Sequence, residues 1–182
     1  NRRGEVDAGN PLVGSVVGGK FVLKGVLGKG GMGTVFRASH AVSLAPVAVK
    51  LLHPRWSSRA EFRRSLLAEA RKAGRVVHEH CARVLDVGEA EDGTVYLAME
   101  LADGEPVDAL VRRGGAAPSI AVDILAQVAR ALVAIHAAGL VHRDLSSRNV
   151  LVAWRSGAPF VKVLDFGIAQ TARLPVGGKS DE

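Results

Sequence analysis

Lys50 closes the alternating run Val47-Ala48-Val49-Lys50, so a small residue and a cation share one face of a strand. Further along, Phe62, Leu66, Glu69 and Ala73 recur at helical spacing, which puts the Glu69 carboxylate on an apolar, inward stripe. An inward carboxylate is costly unless paired, and Lys50 is the expected partner. Late in the chain stand His142-Arg143-Asp144-Leu145, then Asn149, then Asp165-Phe166-Gly167. Carboxylate and amide oxygens are hard ligands of the kind magnesium takes. An ammonium held beside them would meet phosphate oxygens. Taken singly each Asp is more often a turn former than a catalyst; the order of all these residues, with the lysine upstream, is what carries information.

Upstream, Gly28-Lys29-Gly30-Gly31-Met32-Gly33 has the spacing G-x-G-x-x-G. Dinucleotide-binding folds use that spacing to open a helix. Here Thr34-Val35-Phe36 follows, β-branched and aromatic, so strand–loop–strand is expected. Glycines in such a loop let backbone N–H groups approach phosphate oxygens. Gly14 to Lys20 also fits G-x-x-x-x-G-K, but Phe21 stands where a magnesium-binding Ser or Thr is needed. That match is set aside.

These residues need a scaffold, and the pattern provides one. Strands are expected over 20–26, 34–38 and 47–52, followed by a helix. Ser58 and Glu61 have capping-box spacing at its start, and Gly74 supplies its stop. Residues 84–87 and 94–101 form a hairpin around Glu91-Asp92-Gly93. Ser119 is the expected N-cap of a second helix with Ile124, Val128, Leu132 and Ile135 on one stripe, ending at Gly139. Two short strands, 150–153 and 160–164, flank a Gly-Pro-containing turn. A strand-rich half thus precedes a helical half.

With 48% hydrophobic and 23% charged residues, the 182-residue chain reads as globular. Its net charge of +6 is concentrated in part on Arg63, Arg64, Arg71, Lys72 and Arg75, which read as a solvated helix face. No aromatics interleave with them to stack bases, so nucleic acid is not an expected partner. Cys81, the single cysteine, lies in an apolar run and is expected in the core; a cytoplasmic setting follows naturally. His78 and His80 lack a third metal ligand. The apolar stretch from Ile120 to Val141 is interrupted by Asp123, Gln127, Arg130 and His136, so no membrane span is expected within the chain.

In this order the motifs resemble those of a eukaryotic-type protein kinase over roughly residues 18 to 170, and the Gly-Gly-Met-Gly loop is similar to that of bacterial Ser/Thr kinases. The resemblance implies a two-lobed α+β fold. A flexible lead would occupy 1–17, and an ATP-binding small lobe of antiparallel sheet plus one helix would occupy 18–102. A partial, mostly helical large lobe would occupy 103–182. ATP and Mg2+ are the implied cofactors and a protein hydroxyl the acceptor, Ser/Thr favoured over Tyr. Leu27, Gly28, Lys29, Gly30, Gly31, Met32, Gly33 and Thr34 would cover the nucleotide, with Val35 and Ala48 as the adenine roof and Leu151 as the floor. Lys50 would pair with Glu69. Met99 would be the gatekeeper, with the Glu100 and Ala102 backbone as the hinge. Asp144 would orient and deprotonate the substrate hydroxyl, while Asn149 and Asp165 would hold magnesium. Arg143 before Asp144 implies control by activation-loop phosphorylation.

Some positions depart from the family pattern. Ser146 stands two residues after Asp144, where bacterial Ser/Thr kinases place a Lys. Arg148, four residues after Asp144, resembles the tyrosine-kinase loop and is expected to supply that charge. Glu79 replaces the usual proline after His78. Only 15 residues follow Gly167, so the activation loop breaks off and the chain alone is expected to be poorly soluble or inactive. The alternative reading is a nucleotide-binding pseudokinase acting as an interaction module.

Overall fold

The computed structural model describes residues 9–58 and 60–166. The first half is a six-stranded antiparallel sheet built from β1 (Val16–Val17), β2 (Phe21–Lys29), β3 (Gly33–His40), β4 (Pro46–Leu52), β5 (Val84–Glu89) and β6 (Val95–Glu100), in the order β1-β2-β3-β4-β6-β5. A four-residue helix α1 (Pro54–Ser57) and the longer α2 (Ala60–Ala73) connect β4 to β5. Next come β7 (Glu105–Pro106), α3 (Val107–Arg112) and α4 (Pro118–Ala137). The hairpin of β8 (Val150–Arg155) and β9 (Ala158–Val163) completes a second sheet, β7-β8-β9.

Alternation divides the strand side chains between two cores. Val47, Val49 and Leu51 of β4 point into the curl of the sheet with Leu23, Phe36 and Tyr96. Ala48 and Leu52 point the other way, onto Phe62, Leu66 and Ala70 of α2. A third core packs Val128, Ala131 and Ile135 of α4 against Val152, Val161 and Val163. Cys81 joins it, 1% exposed and with its thiol pushed up to about 11 by burial. It is inert core.

Two expected boundaries moved. The segment before β2 is tied to the sheet: Gly14 N–H donates to the Leu23 carbonyl, Leu23 N–H donates to the Ser15 carbonyl, and Val16–Val17 pairs with β2. The following Gly18 and Gly19 have φ of 55° and 66°, and a Cβ on Gly18 would lie 2.5 Å from the Tyr96 ring. The Walker-like spacing is therefore a hairpin turn. Ser58 is the C-cap residue of α1, and its hydroxyl donates to the Arg55 carbonyl. The helix over 119–138 begins one residue earlier, with Pro118 in its first turn and Ala117 as the N-cap position, because proline's fixed φ suits that turn. Its other end is as expected. Gly139, at φ 71°, donates to the His136 carbonyl while Leu140 donates to Ile135, a Schellman closure. In the β8–β9 hairpin Ser156 and Gly157 form the turn, both left-handed, and Pro159 lies within β9.

By length and composition α4 could cross a bilayer, with a mean hydropathy of 1.7. The interrupting polar residues qualify that. The Gln127 side chain donates to the Pro159 carbonyl and accepts from Val161 N–H, so it knits α4 to β9. Val122, Leu125 and Val133 on the opposite face are more than 60% exposed.

Candidate active site

Lys50 enters the space between the two halves from the middle of β4, beside Val35 of β3 and Leu97 of β6. Its ammonium donates to Asp165 Oδ2 at 2.7 Å, with the two side chains 12% and 21% exposed. The expected partner, Glu69, instead accepts from Arg143 at 3.0 Å. Helical spacing correctly put Glu69 inward. It could not say which cation would meet it there, because Arg143 comes from a loop in the other half of the chain.

That loop is shaped by unusual backbone. Of the four non-glycine residues at positive φ among the described residues, Ser156 and Leu44 sit in turns, while Arg143 at 63° and Asp165 at 55° flank the site. Such conformations cost about 1–3 kcal/mol each and persist where the surroundings enforce them. Asn149 holds the loop closed. Its amide donates to the Asp144 carbonyl at 2.8 Å and to Asp144 Oδ2 at 3.1 Å, and its own carbonyl accepts from Leu164 N–H. This last bond ties Asn149 to the residue preceding Asp165. Asp144 itself is exposed. Arg148 is also exposed, and makes no hydrogen bond or ion pair among the described residues.

The oxygens left over fit a hard cation. Asp165 Oδ1 is buried with no hydrogen-bond partner, a costly state for a carboxylate oxygen. Asn149 spends its amide N–H groups on Asp144, which leaves its oxygen for a ligand. No group of three or more His, Cys, Asp or Glu residues among the described residues could hold a metal unaided. Two protein oxygens completed by water and phosphate oxygens match how magnesium is usually bound.

The glycine loop arches between β2 and β3. Gly33 is fixed by the fold, since a Cβ there would lie 2.1 Å from the Leu51 carbonyl oxygen. Gly28 and Gly31 have open space where a Cβ would project, and Gly30 meets nothing closer than 3.8 Å. All four have ordinary φ, so conformational freedom does not explain them. Open space above the backbone is what a closely approaching ligand needs.

Around this frame Ala48 and Met99 are paired across β4 and β6, both 6% exposed, with Val35 packed beside them. Leu151 is half-buried on β8 and Leu27 is 45% exposed. Thr34 faces away from the other residues of the expected set. It shares with Phe36 the other face of β3 and lines a cavity of about 630 Å³ at the mouth of the curled sheet, with Leu12, Leu51 and Thr94. That cavity touches none of Lys50, Asn149 and Asp165. Ala102 N–H makes no hydrogen bond among the described residues and is free to bind a ligand. Gly167, Thr171 and Ser180 lie outside the described residues.

Lys162 escaped the sequence reading. Its ammonium pairs with Glu100 at 2.7 Å and bridges β9 to the segment leaving β6. The alternation Val161-Lys162-Val163 was the available signal, because it sets one cation opposite two buried valines.

His142, 2% exposed, has both ring nitrogens without hydrogen-bond partners. Burial holds its pKa below the ordinary 6.5, only partly offset by the carbonyls of His142 and Leu164 and by Asp144 and Asp165. Burial does the same to His80, against the pull of the Val161 carbonyl. Both rings are therefore harder to protonate in the fold, and the unfolded chain binds protons that the folded one resists. This contribution to stability is complete above the unfolded value near 6.5. It is lost as pH falls from there through the depressed folded values. The urea midpoint is expected to be lower at about pH 5.5 than at about pH 7.5; equal midpoints would contradict this.

A family model described as protein kinase domain matches residues 21–177. Serine/threonine-protein kinase Pkn1 of Myxococcus xanthus is 45% identical over 168 residues, covering 92% of this chain and 24% of its own length. Serine/threonine-protein kinase PknH of Mycobacterium tuberculosis is 42% identical over 164 residues, covering 90% and 25% respectively. The chain thus spans about a quarter of the length of these curated relatives. Among solved structures, the kinase domain of Mycobacterium tuberculosis PknI superposes with a TM-score of 0.74 at 31% identity, over 86% of this chain and 61% of that one.

Proposed function

Since the chain belongs to the protein kinase domain family, we propose that it carries the ATP-binding and catalytic-loop part of a serine/threonine protein kinase. In this reading residues 18–102 form the nucleotide-holding lobe and residues from 103 onward the catalytic one. The observation that supports it best is the junction at Asp165. One oxygen of that carboxylate is held by Lys50 and the other is buried and unpaired, while Asn149 is tethered one residue away.

The reaction joins an acceptor hydroxyl oxygen to the γ-phosphorus of ATP and breaks the bond from that phosphorus to the β–γ bridging oxygen, releasing ADP. Asp144, exposed and oriented by Asn149, takes the hydroxyl proton. Lys50 presents its ammonium to phosphate oxygens, with Asp165 fixing its position. Magnesium, when bound, would neutralise charge on the phosphates; Asp165 and Asn149 are the residues that would hold it. Ala48, Met99 and Val35 offer the apolar wall for adenine, and the free Ala102 N–H a hinge donor. A protein is the proposed acceptor and the cytoplasm, where ATP is present, the proposed setting.

Phosphate transfer from labelled ATP to a protein acceptor tests this, using a chain extended to the length of its relatives' kinase domains. Nucleotide binding without transfer would favour a non-catalytic module instead. In the same assay Arg148→Ala is expected to remove most of the turnover, because no lysine accompanies Asp144 and, with Arg143 paired to Glu69, Arg148 is the exposed cation of that loop without an ion pair among the described residues. Near-normal turnover would dismiss Arg148 from that role.

A further inference from the structure

Three side chains just after β4 reach back to the glycine loop. His53 Nε2 lies 3.1 Å from the Gly30 carbonyl oxygen. Trp56 Nε1 donates to the Gly31 carbonyl at 3.3 Å, and the Arg55 guanidinium donates to the same oxygen. The backbone adds a fourth link, His53 N–H to the Met32 carbonyl at 2.9 Å. Met32 packs into the apolar cluster between the sheet and α2, where the Trp56 ring lies 5.2 Å from that of Phe62. The loop tip is thereby fastened to the start of the helical segment that carries Glu69.

A trans peptide points its C=O and N–H in opposite directions. Drawing the Gly30 and Gly31 carbonyls toward His53, Arg55 and Trp56 therefore turns the N–H groups of Gly31 and Met32 the other way. Neither N–H makes a hydrogen bond among the described residues. We propose that His53, Arg55 and Trp56 are positioning residues that orient the Gly31 and Met32 amides for the phosphates of a bound nucleotide. This rests on the nucleotide-binding reading above. The clasp acts on the phosphates and leaves the adenine wall of Val35, Ala48 and Met99 unaffected, which makes it separable by ligand.

The test compares the chain with a triple variant, His53→Ala, Arg55→Ala and Trp56→Phe; the phenyl ring keeps the packing on Phe62 and removes only the donor. Calorimetry gives the affinities for magnesium–ATP and for adenosine. The variant is expected to bind ATP about tenfold more weakly, with adenosine affinity unchanged, the size of one lost charge-assisted hydrogen bond. Equal weakening of both ligands, or of neither, overturns the proposal. A second measurement needs no nucleotide: backbone relaxation of the Gly30–Met32 amides is expected to show a looser loop in the variant. An unchanged loop refutes the clasp. Should the triple variant not fold, Trp56→Phe alone is read in the same two ways. A parent chain that binds neither ligand would sink the nucleotide-binding reading, while the relaxation result still decides the clasp.

Discussion

Asp144→Asn, in a chain extended to its relatives' kinase-domain length, is expected to cut turnover by ~100- to 10,000-fold. The substitution keeps the shape of the side chain and still offers an oxygen to the Asn149 amide, now 3.1 Å from Asp144 Oδ2. What it removes is the capacity to accept a proton. The loop should therefore keep its geometry, the KM for ATP should stay near that of the parent, and the loss should fall on kcat. The backbone strain at Arg143 makes this a sensitive test, since a variant that relaxed the loop would also show a changed stability. Retained turnover in a folded variant would remove Asp144 from the role of base.

Lys50→Met is expected to lower turnover by ~100- to 1,000-fold, the range seen when one preorganised charge-stabilising donor is deleted. Methionine fills much of the same volume, so the cluster of Ala48, Leu97 and Met99 around it should hold. The Asp165 carboxylate would lose its partner while remaining only 21% exposed, and its position would no longer be fixed. Both effects bear on the phosphates and on magnesium. Magnesium dependence should therefore change along with turnover, and adenosine binding should not. A variant working within a few-fold of the parent would show that the 2.7 Å pair is structural only.

The arrangement of cations and carboxylates bears on how the halves communicate. Lys50–Asp165, Arg143–Glu69 and Lys162–Glu100 each join a residue from the first sheet or α2 to one from the second half of the chain. All three are partly buried, so salt screens them less than it would exposed surface pairs. Two involve residues singled out from their sequence motifs. The third, Lys162, shows that the same logic extends to the strand leading into Asp165.

Local pattern determined a good deal. The alternation in Val47-Ala48-Val49-Lys50 settled which β4 residues face α2, because a strand has only two faces. The glycine after α4 marked that end, because Gly139 sits at φ 71°, where glycine is tolerated best. The order of Gly28, Lys50, Asp144, Asn149 and Asp165 along the sequence was enough to point to the protein kinase family that the chain matches. Only the tertiary structure decided the partners. Whether Lys50 meets Glu69 or Asp165 depends on how residues 115 positions apart are brought together, and no periodicity encodes that distance. The pairing of Val16–Val17 with β2, the turning of Thr34 toward the outer cavity and the grip of Arg55 and Trp56 on Gly31 are likewise contacts between separate segments. Side-chain period is a property of one element, whereas a hydrogen bond between elements depends on where both end up.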